Sequence, residues 1–331
     1  MARRRLPVLV IACALLAVAV GASLAIGNLG IPLGDVWTAL VAPDDSAHTL
    51  IVRTQRIPRT ILGLVTGAAL AVAGVLMQSL TRNPLADPRI MGVSSGASLG
   101  VVIAITLFGV RTLPGYVWFG IVGALASGML VYVLAARTRS GSSPVTLALV
   151  GAALNASFGA VVIAILTVDA QTFDEYRFWV IGSLTGRPAE VSVTVLPFIV
   201  AGLLLAVVSA RGLDALALGD DVAAGLGSRV GTTRLTAAVA AVLLTGAAVA
   251  ATGPIGFVGL AVPHFARALV GSDHRWLLAV SVPLGAVFLL GADVIGRVVL
   301  LPEEIRAGVV TAVLGAPILL MLLRRPKLVL A

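Results

Sequence analysis

The chain has very little charge for its length. Only 11% of its 331 residues are Asp, Glu, Lys or Arg, whereas charged residues make up about a quarter of an ordinary soluble domain. Hydrophobic residues make up 59%, and the mean hydropathy is +1.08. This composition excludes a water-soluble globule and indicates a membrane protein.

Cysteine, lysine and histidine are also scarce. The single Cys13 excludes a disulfide framework and a multi-thiolate metal site. The only lysine is Lys327, and no Gly-x-x-x-x-Gly-Lys-Ser/Thr loop is present, so the chain cannot itself be an ATPase that binds ATP through such a loop. The histidines His48, His264 and His274 are isolated in the sequence, and no nucleophile–base pair or carboxylate pair is evident. A membrane enzyme is therefore disfavoured, and no cofactor is expected.

Long apolar runs dominate the sequence instead. A membrane-spanning helix needs about 20 mostly apolar residues, and continuous runs indicate helices, whereas a barrel would show alternation. The eighth predicted span is the weakest, because Pro254, Pro263, His264 and Arg267 interrupt it. We expect an all-α polytopic membrane protein with about ten transmembrane helices, in which residues 1–331 form a single domain. The predicted spans lie near residues 6–26, 60–80, 91–108, 114–135, 145–167, 191–210, 235–252, 254–270, 276–296 and 307–323.

The distribution of basic residues predicts the orientation. With the N-terminus inside, the inner segments carry 15 of the 23 Lys and Arg residues and the outer segments carry 8. Both termini are then cytoplasmic, 27–59 and 168–190 are outer loops, and 211–234 is the longest inner loop. The basic start also resembles a cleavable signal peptide, but its apolar run is long enough to span, so we favour an uncleaved first helix.

The longest inner loop contains a short amphipathic pattern. Leu218, Val222 and Leu226 recur every four residues and would form one apolar stripe on a short helix, with Gly225 and Gly227 ending it. Such a stripe can dock in a groove of a soluble partner. A solvated surface hairpin is the alternative.

Ionisable residues near the outer helix ends allow two interpretations. Arg56, Arg59 and Arg297 lie there against the positive-inside tendency, so we expect either an anionic partner or contact with outer lipid headgroups. Asp293 is the one acid within a predicted span. An ion-coupled secondary transporter using Asp293 is therefore the alternative class, while a simple i, i+4 pair with Arg297 is the structural explanation.

Small and polar residues on predicted helices three, five and ten suggest a transport pathway, although each could equally serve helix packing. They are Ser94, Ser95, Ser98, Asn155, Ser157, Thr167 and Thr311.

Five segments, in chain order, resemble the FecCD family, the permease subunits of bacterial ABC importers for iron siderophores, haem and cobalamin. They are Arg-Ile-Pro-Arg at 56–59, Asn-Pro-Leu-Ala-Asp-Pro at 83–88 with Met-Gly-Val-Ser-Ser-Gly-Ala at 91–97, Leu-Gly-Asp-Asp at 218–221 with Gly-Leu-Gly at 225–227, Gly-Pro-Ile-Gly-Phe-Val-Gly-Leu at 253–260 with Pro-His at 263–264, and Gly-Val-Val-Thr-Ala-Val-Leu-Gly-Ala-Pro at 308–317.

The resemblance implies a type II ABC importer permease in the plasma membrane of a bacterium. Its expected partners are two cytoplasmic ATP-binding subunits, an extracytoplasmic binding protein, and a second copy or a similar permease; nucleic acid is not expected. A ferric siderophore is the preferred substrate because it is the commonest in the family. Cobalamin and haem stay open as alternatives.

The resemblance also assigns roles to individual residues. It assigns docking of the binding protein to Arg56, Arg59 and Arg297, and coupling to the ATPase to Leu218, Gly219, Asp220, Asp221, Gly225, Leu226 and Gly227. The gate and pathway candidates are Asn83, Pro84, Leu85, Ala86, Pro144, Val145, Ser94 and Asn155.

The chain departs from the family pattern in two places. The fifth helix begins Ser142-Ser143-Pro144-Val145, and a gating hydroxyl pair of the family would align with its last two residues. Arg306 stands where proline is usual, which adds an outer cation that could favour anionic chelates.

Overall fold

The computed structural model describes residues 2–138 and 144–324, and this part of the chain is helical, without strands. Its α-helices are α1 (Ala2–Ala25), α2 (Leu33–Val41), α3 (Ala47–Ile51), α4 (Ile57–Thr81), α5 (Val93–Phe108), α6 (Leu113–Ala136), α7 (Pro144–Val168), α8 (Ala170–Val180), α9 (Ala189–Leu216), α10 (Asp220–Gly225), α11 (Val230–Thr252), α12 (Val258–Val270), α13 (His274–Val298) and α14 (Ala307–Arg324).

Each of the ten predicted spans coincides with one of these helices, namely α1, α4, α5, α6, α7, α9, α11, α12, α13 and α14. Seven described helices are long and apolar enough to cross a membrane, while α5, α12 and α14 are shorter apolar helices. The all-α polytopic fold is therefore confirmed. The weakest prediction corresponds to the 13-residue α12, which contains Pro263 and begins after Phe257 in a left-handed conformation.

Helix α4 lies at the centre of the molecule and packs against α9, α11, α12 and α13. Its backbone touches two neighbours so closely that glycine is required. A Cβ added at Gly67 would lie 2.6 Å from the carbonyl oxygen of Gly285, and one at Gly74 would lie 1.9 Å from that of Gly259. Small residues allow this approach, as in many membrane helix pairs.

Helical segments also occupy the predicted outer loops. Helices α2 and α3 and a π-helical turn, Val52–Arg56, fill much of 27–59 and continue into α4. In the second loop, α8 occupies residues 170–180, and Asp169 caps its start by accepting from the backbone N–H groups of Gln171 and Thr172. Neither outer loop is simply an extended connection.

The two ends of the bundle differ in chemistry. We call the end that carries α10 the inner end, after the orientation that the basic residues predict, and the opposite end the outer end. At the inner end, Arg5 pairs with Asp273 at 2.7 Å, which joins the start of α1 to the start of α13. At the outer end, buried arginines and carboxylates join α1, α4 and α13.

Helices α7 and α14 have open apolar faces. Val145, Leu149 and Ile163 on α7, and Val313 and Leu320 on α14, are largely exposed. In a bilayer such faces contact lipid or another subunit.

Candidate functional site

The inner loop forms a short helix with an exposed apolar face. Helix α10 has six residues, between Gly219 at φ 109° and Gly227 at φ 79°. Leu218, Val222 and Leu226 are 63%, 50% and 66% exposed, while Ala223 is fully buried on the other side. The predicted short helix is therefore confirmed. Of the three apolar residues only Val222 lies within it, while Leu218 and Leu226 flank it; all three side chains are exposed, and we call them the apolar stripe of α10. Docking to an ATPase stays a prediction.

Two arginines fix this helix to the bundle through one carboxylate. Asp220 accepts a hydrogen bond from Arg82 at 2.6 Å and one from Arg234 at 2.8 Å. Arg82 follows the last residue of α4 in a left-handed conformation and also donates to the carbonyl of Leu216 at 2.7 Å. Helix α10 is thus connected directly to the end of the central helix, a contact that the sequence did not indicate.

The turn at residues 83–86, a gate candidate by resemblance that we call the gate turn, is closed by its own hydrogen bonds, and its gating role stays a prediction. The Asn83 side chain accepts from the Leu85 N–H at 2.9 Å, and the Asn83 carbonyl accepts from the Ala86 N–H at 3.0 Å. Asp87 then caps the short helix Pro88–Met91 and binds the Arg89 guanidinium at 2.9 and 3.0 Å. Pro84 lies inside this turn. The turn is short and rigid, as its proline and Asx chemistry predict.

A hydrogen-bonded chain connects the gate turn to two pathway candidates. Ser95 donates to the side-chain oxygen of Asn155 at 2.6 Å, and the Asn155 amide donates to the Arg89 carbonyl at 3.2 Å. Ser94 has a buried hydroxyl without a partner in the described part of the chain. The structure therefore brings Ser95 and Asn155 together between α5 and α7.

The other pathway candidates are scattered. Ser157 and Thr167 lie exposed on α7, where each donates to a carbonyl of its own helix. Thr311 and Ser98 are buried. Near the expected inner gate, Pro144 begins α7 and Val145 is exposed, whereas Ser142 and Ser143 lie outside the described residues.

The arginines expected to meet an anionic partner are buried within the chain. Arg56 is 5% exposed and donates to the carbonyls of Leu24, Ala25 and Leu29, where it closes the end of α1. It has no carboxylate partner in the part of the chain that the structure describes.

Arg59 and Arg297 share one carboxylate. Asp293, 1% exposed, accepts from Arg59 at 2.8 and 2.9 Å and from Arg297 at 2.5 and 3.1 Å. Arg59 also binds Glu304 at 2.8 Å, and Arg297 donates to the Ser23 carbonyl at 2.6 Å. The anions that meet these arginines are thus the chain's own.

This geometry bears on two expectations, and docking of a binding protein by Arg56, Arg59 and Arg297 stays a prediction. The arginines do not present free charges at the surface, because the close packing of α1, α4 and α13, invisible in the sequence, encloses them. Asp293 pairs with Arg297 at i, i+4 and also with Arg59. Asp293 thus joins α4 and α13 through two charged hydrogen-bonded pairs, as the structural explanation expects.

Two of the three histidines, His48 and His274, have side-chain partners, so the expectation that they are isolated is wrong for these two. His48 binds Asp35 at 2.6 Å, and His274 lies 2.6 Å from Asp214 and 2.7 Å from the Ser79 hydroxyl. The partners are distant in sequence, so spacing could not reveal them. Ser79 donates to the carbonyl of Val75 within its own helix at 2.7 Å, and we assign the Ser79–His274–Asp214 chain the role of joining α4, α9 and α13.

Comparison with known proteins matches this architecture to membrane permeases. A family model described as the FecCD transport family matches residues 15–325. The chain is 42% identical over 312 residues to the ferric enterobactin transport system permease protein FepD of Escherichia coli (strain K12), covering 94% of this chain and 93% of that one. It is 36% identical over 318 residues to YfiZ of Bacillus subtilis (strain 168), named a probable siderophore transport system permease protein, covering 96% of each.

A solved structure has the same fold. A metal-chelate type ABC transporter in an inward-facing conformation superposes with a TM-score of 0.84 at 28% identity, over 96% of this chain and 99% of that one.

Proposed function

The chain belongs to the FecCD transport family, and we propose that it is the permease subunit of a bacterial ABC importer that moves a ferric siderophore across the cytoplasmic membrane. Both named relatives are permeases of siderophore or ferric enterobactin systems. ATP hydrolysis takes place on a partner subunit, because the sequence has no phosphate-binding loop. Cobalamin and haem are the alternative substrates.

The observation that carries this proposal is the exposed apolar stripe of α10. Three aliphatic side chains in water are unfavourable unless a partner covers them, and their helix is fixed to the bundle by the two ion pairs of Asp220. A groove on the ATP-binding subunit is the partner that fits. An ion-coupled secondary transporter would have no use for such a surface.

The orientation follows from the same assignment. If α10 meets a cytoplasmic ATPase, the inner end faces the cytoplasm and both termini are cytoplasmic, in agreement with the charge asymmetry. The outer end then receives substrate from an extracytoplasmic binding protein. Because Arg56, Arg59 and Arg297 are buried there, we propose that they shape the docking surface by fixing the end of α1 rather than by pairing with the partner directly.

A second permease copy, or a similar permease, completes the pathway. The open apolar faces of α7 and α14 supply the contact surface, and Asn155 on α7 lies within it, half-buried and bonded to Ser95. The chelate would pass between the two copies, near the gate turns.

The test is uptake of labelled ferric siderophore into proteoliposomes that contain the permease, its ATP-binding subunit and its binding protein. Uptake should require ATP and should survive collapse of the proton gradient. Unlabelled ferric siderophore should inhibit uptake of the labelled compound more strongly than cobalamin or haem does. Uptake that needs no ATP and follows the proton gradient would overturn the proposal.

The role of α10 is tested with matched variants. Leu218→Ala should weaken binding of the ATP-binding subunit by about tenfold. Removing one apolar contact that is buried at an interface costs about 1–2 kcal/mol, and about 1.4 kcal/mol corresponds to a factor of ten in affinity. Leu107→Ala, which removes a leucine that is even more exposed (74%, against 63% for Leu218) at the outer end of α5, is the control and should leave this affinity unchanged. Equal affinities for both variants would contradict the assignment.

A further inference from the structure

The outer end has a second charged feature, which lies beside the ion network around Asp293. A cavity of about 340 Å³ opens between the start of α6, the end of α8, the turn after α8 and the segment before α14. Two arginines, Arg187 and Arg306, line it together with Glu304, Thr185, Phe178 and Tyr116. We call it the outer cavity. Its volume is at the small end of the range for ligand pockets, so it fits one edge of a chelate.

Arg187 is a buried cation without a matching anion. The residue is 7% exposed, and its Nε donates to the Ser183 carbonyl at 3.3 Å. Its Nη1 is buried and has no hydrogen-bond partner in the described part of the chain. Burial lowers the pKa of Arg187, and the adjacent Tyr116 hydroxyl opposes this shift. A buried guanidinium donor without an acceptor is costly, so an oxygen acceptor placed in the cavity would stabilise Arg187.

Arg306 adds a second cation to the same cavity. It donates to the Phe178 carbonyl at 2.6 Å, and its guanidinium carbon lies 5.0 Å from the centre of the Phe178 ring. No carboxylate of the described residues pairs with it. Stacking on an aromatic ring orients a guanidinium while its remaining donors stay available.

The one acid of the cavity is already engaged. Glu304 accepts from Arg59 at 2.8 Å and from the Thr185 hydroxyl at 3.2 Å, both through the same carboxylate oxygen. Arg59 therefore neutralises it, and the outer cavity keeps an excess of positive charge. A guanidinium pair with aromatic neighbours matches planar oxygen anions, which bind arginine in two-point hydrogen bonds.

We infer that the outer cavity is an anion subsite that binds carboxylate or catecholate oxygens of the arriving iron chelate and so selects anionic chelates over neutral ones. This inference rests on the proposed function for the identity of the substrate. An acidic side chain of the binding protein is the competing occupant, and the experiment below separates the two.

The main test compares two chelates in the assembled importer. Initial uptake rates of ferric citrate, which is anionic, and of a neutral ferric trihydroxamate are measured in proteoliposomes over a range of concentrations. Arg306→Gln should raise KM for ferric citrate about tenfold, because it removes one hydrogen bond from a charged donor. The kcat for ferric citrate and the KM for the trihydroxamate should not change. An equal effect on both chelates, or none on either, would overturn the inference.

Two further variants strengthen the comparison. Arg187→Gln should act like Arg306→Gln, and Arg187→Lys, which keeps the charge in a buried position, should restore part of the preference. Arg177→Gln is the control: Arg177 also stacks on Phe178, at 4.8 Å, but is exposed, pairs with Asp174 and does not line the cavity. It should leave both KM values unchanged.

A binding assay keeps this inference separate from the proposed function. Ferric citrate is titrated onto the full-length permease alone in nanodiscs, without ATPase or binding protein, and quenching of tryptophan fluorescence is recorded, since Trp179 lines the cavity. Saturable quenching that Arg306→Gln weakens about tenfold supports the subsite even if ATP-driven uptake fails. No saturable quenching, or equal quenching of the wild type and Arg306→Gln, overturns it. In a separate assay with the binding protein added, a loss of capture by Arg306→Gln without any change in citrate quenching would assign the cavity to an acidic side chain of that protein instead.

Discussion

The buried carboxylate of Asp293 gives the sharpest test of how the outer end is stabilised. Asp293→Asn removes the charge that two guanidinium groups share at 2.5 to 3.2 Å, in a position that is 1% exposed. Breaking a buried ion pair by neutralising one partner costs about 3–5 kcal/mol. Because Glu304 still binds Arg59, we expect the lower end, about 3 kcal/mol, or roughly two decades in the unfolding equilibrium at about 1.4 kcal/mol per decade. Denaturant unfolding of the purified permease in mixed micelles measures this change.

Controls for Asp293→Asn come from the same chain. Asp174 forms an exposed pair with Arg177, so Asp174→Asn should cost no more than about 1 kcal/mol. Removing Arg297 should cost less in the Asp293→Asn background than in the wild type, since its charge has already lost its partner. A variant as stable as the wild type that loses uptake driven by a proton gradient would refute the structural role and favour an ion relay.

Two other predictions concern helix packing and coupling. Gly74→Ala would place a methyl group 1.9 Å from the carbonyl oxygen of Gly259 and should abolish the peak of folded protein on size-exclusion chromatography. The control is Gly159→Ala, whose added methyl group has nothing within 4 Å and should leave that peak unchanged. Comparable yields of folded protein from the two variants would contradict the close helix contact. Asp220→Asn should raise the ratio of ATP hydrolysed to iron imported, without changing the free energy of unfolding by more than about 1 kcal/mol. The control is Asp45→Asn, at an exposed position, which should leave this ratio unchanged. An unaltered ratio in both variants would contradict a coupling role of the Asp220 carboxylate.

The fold was predictable because its main signals are local. An apolar run of about 20 residues must satisfy its own backbone in a bilayer, and only a helix does so within one segment, so hydropathy alone located the ten helices. The stripe on α10 was predictable for the same reason, since a four-residue spacing determines a face. The short helices α2 and α3 escaped prediction because they lie outside the long apolar runs.

The ion pairs were not predictable from spacing. Arg59 and Asp293 are 234 positions apart, and Arg82 and Asp220 are 138 apart, so only the packing of helices brings them together. The sequence did show that the outer arginines needed anions, but a positive-inside argument cannot distinguish a partner's carboxylate from an internal one. Arg187 gave no signal, because a single arginine in an outer loop is normally solvated.

We propose that a movement of α10 reaches the pathway candidates through the contacts of the inner end. The ion pairs of Asp220 are more than 40% exposed on the carboxylate side, so each contributes up to about 1 kcal/mol and can be remade in each transport cycle. Arg82 passes any displacement to the gate turn, which is closed by its own hydrogen bonds and therefore moves as a unit. Beyond the turn, the Arg89 carbonyl holds Asn155, and Asn155 holds Ser95. In this proposal a shift of α10 is carried by these hydrogen bonds to α5 and α7, the helices between which Ser95 and Asn155 meet.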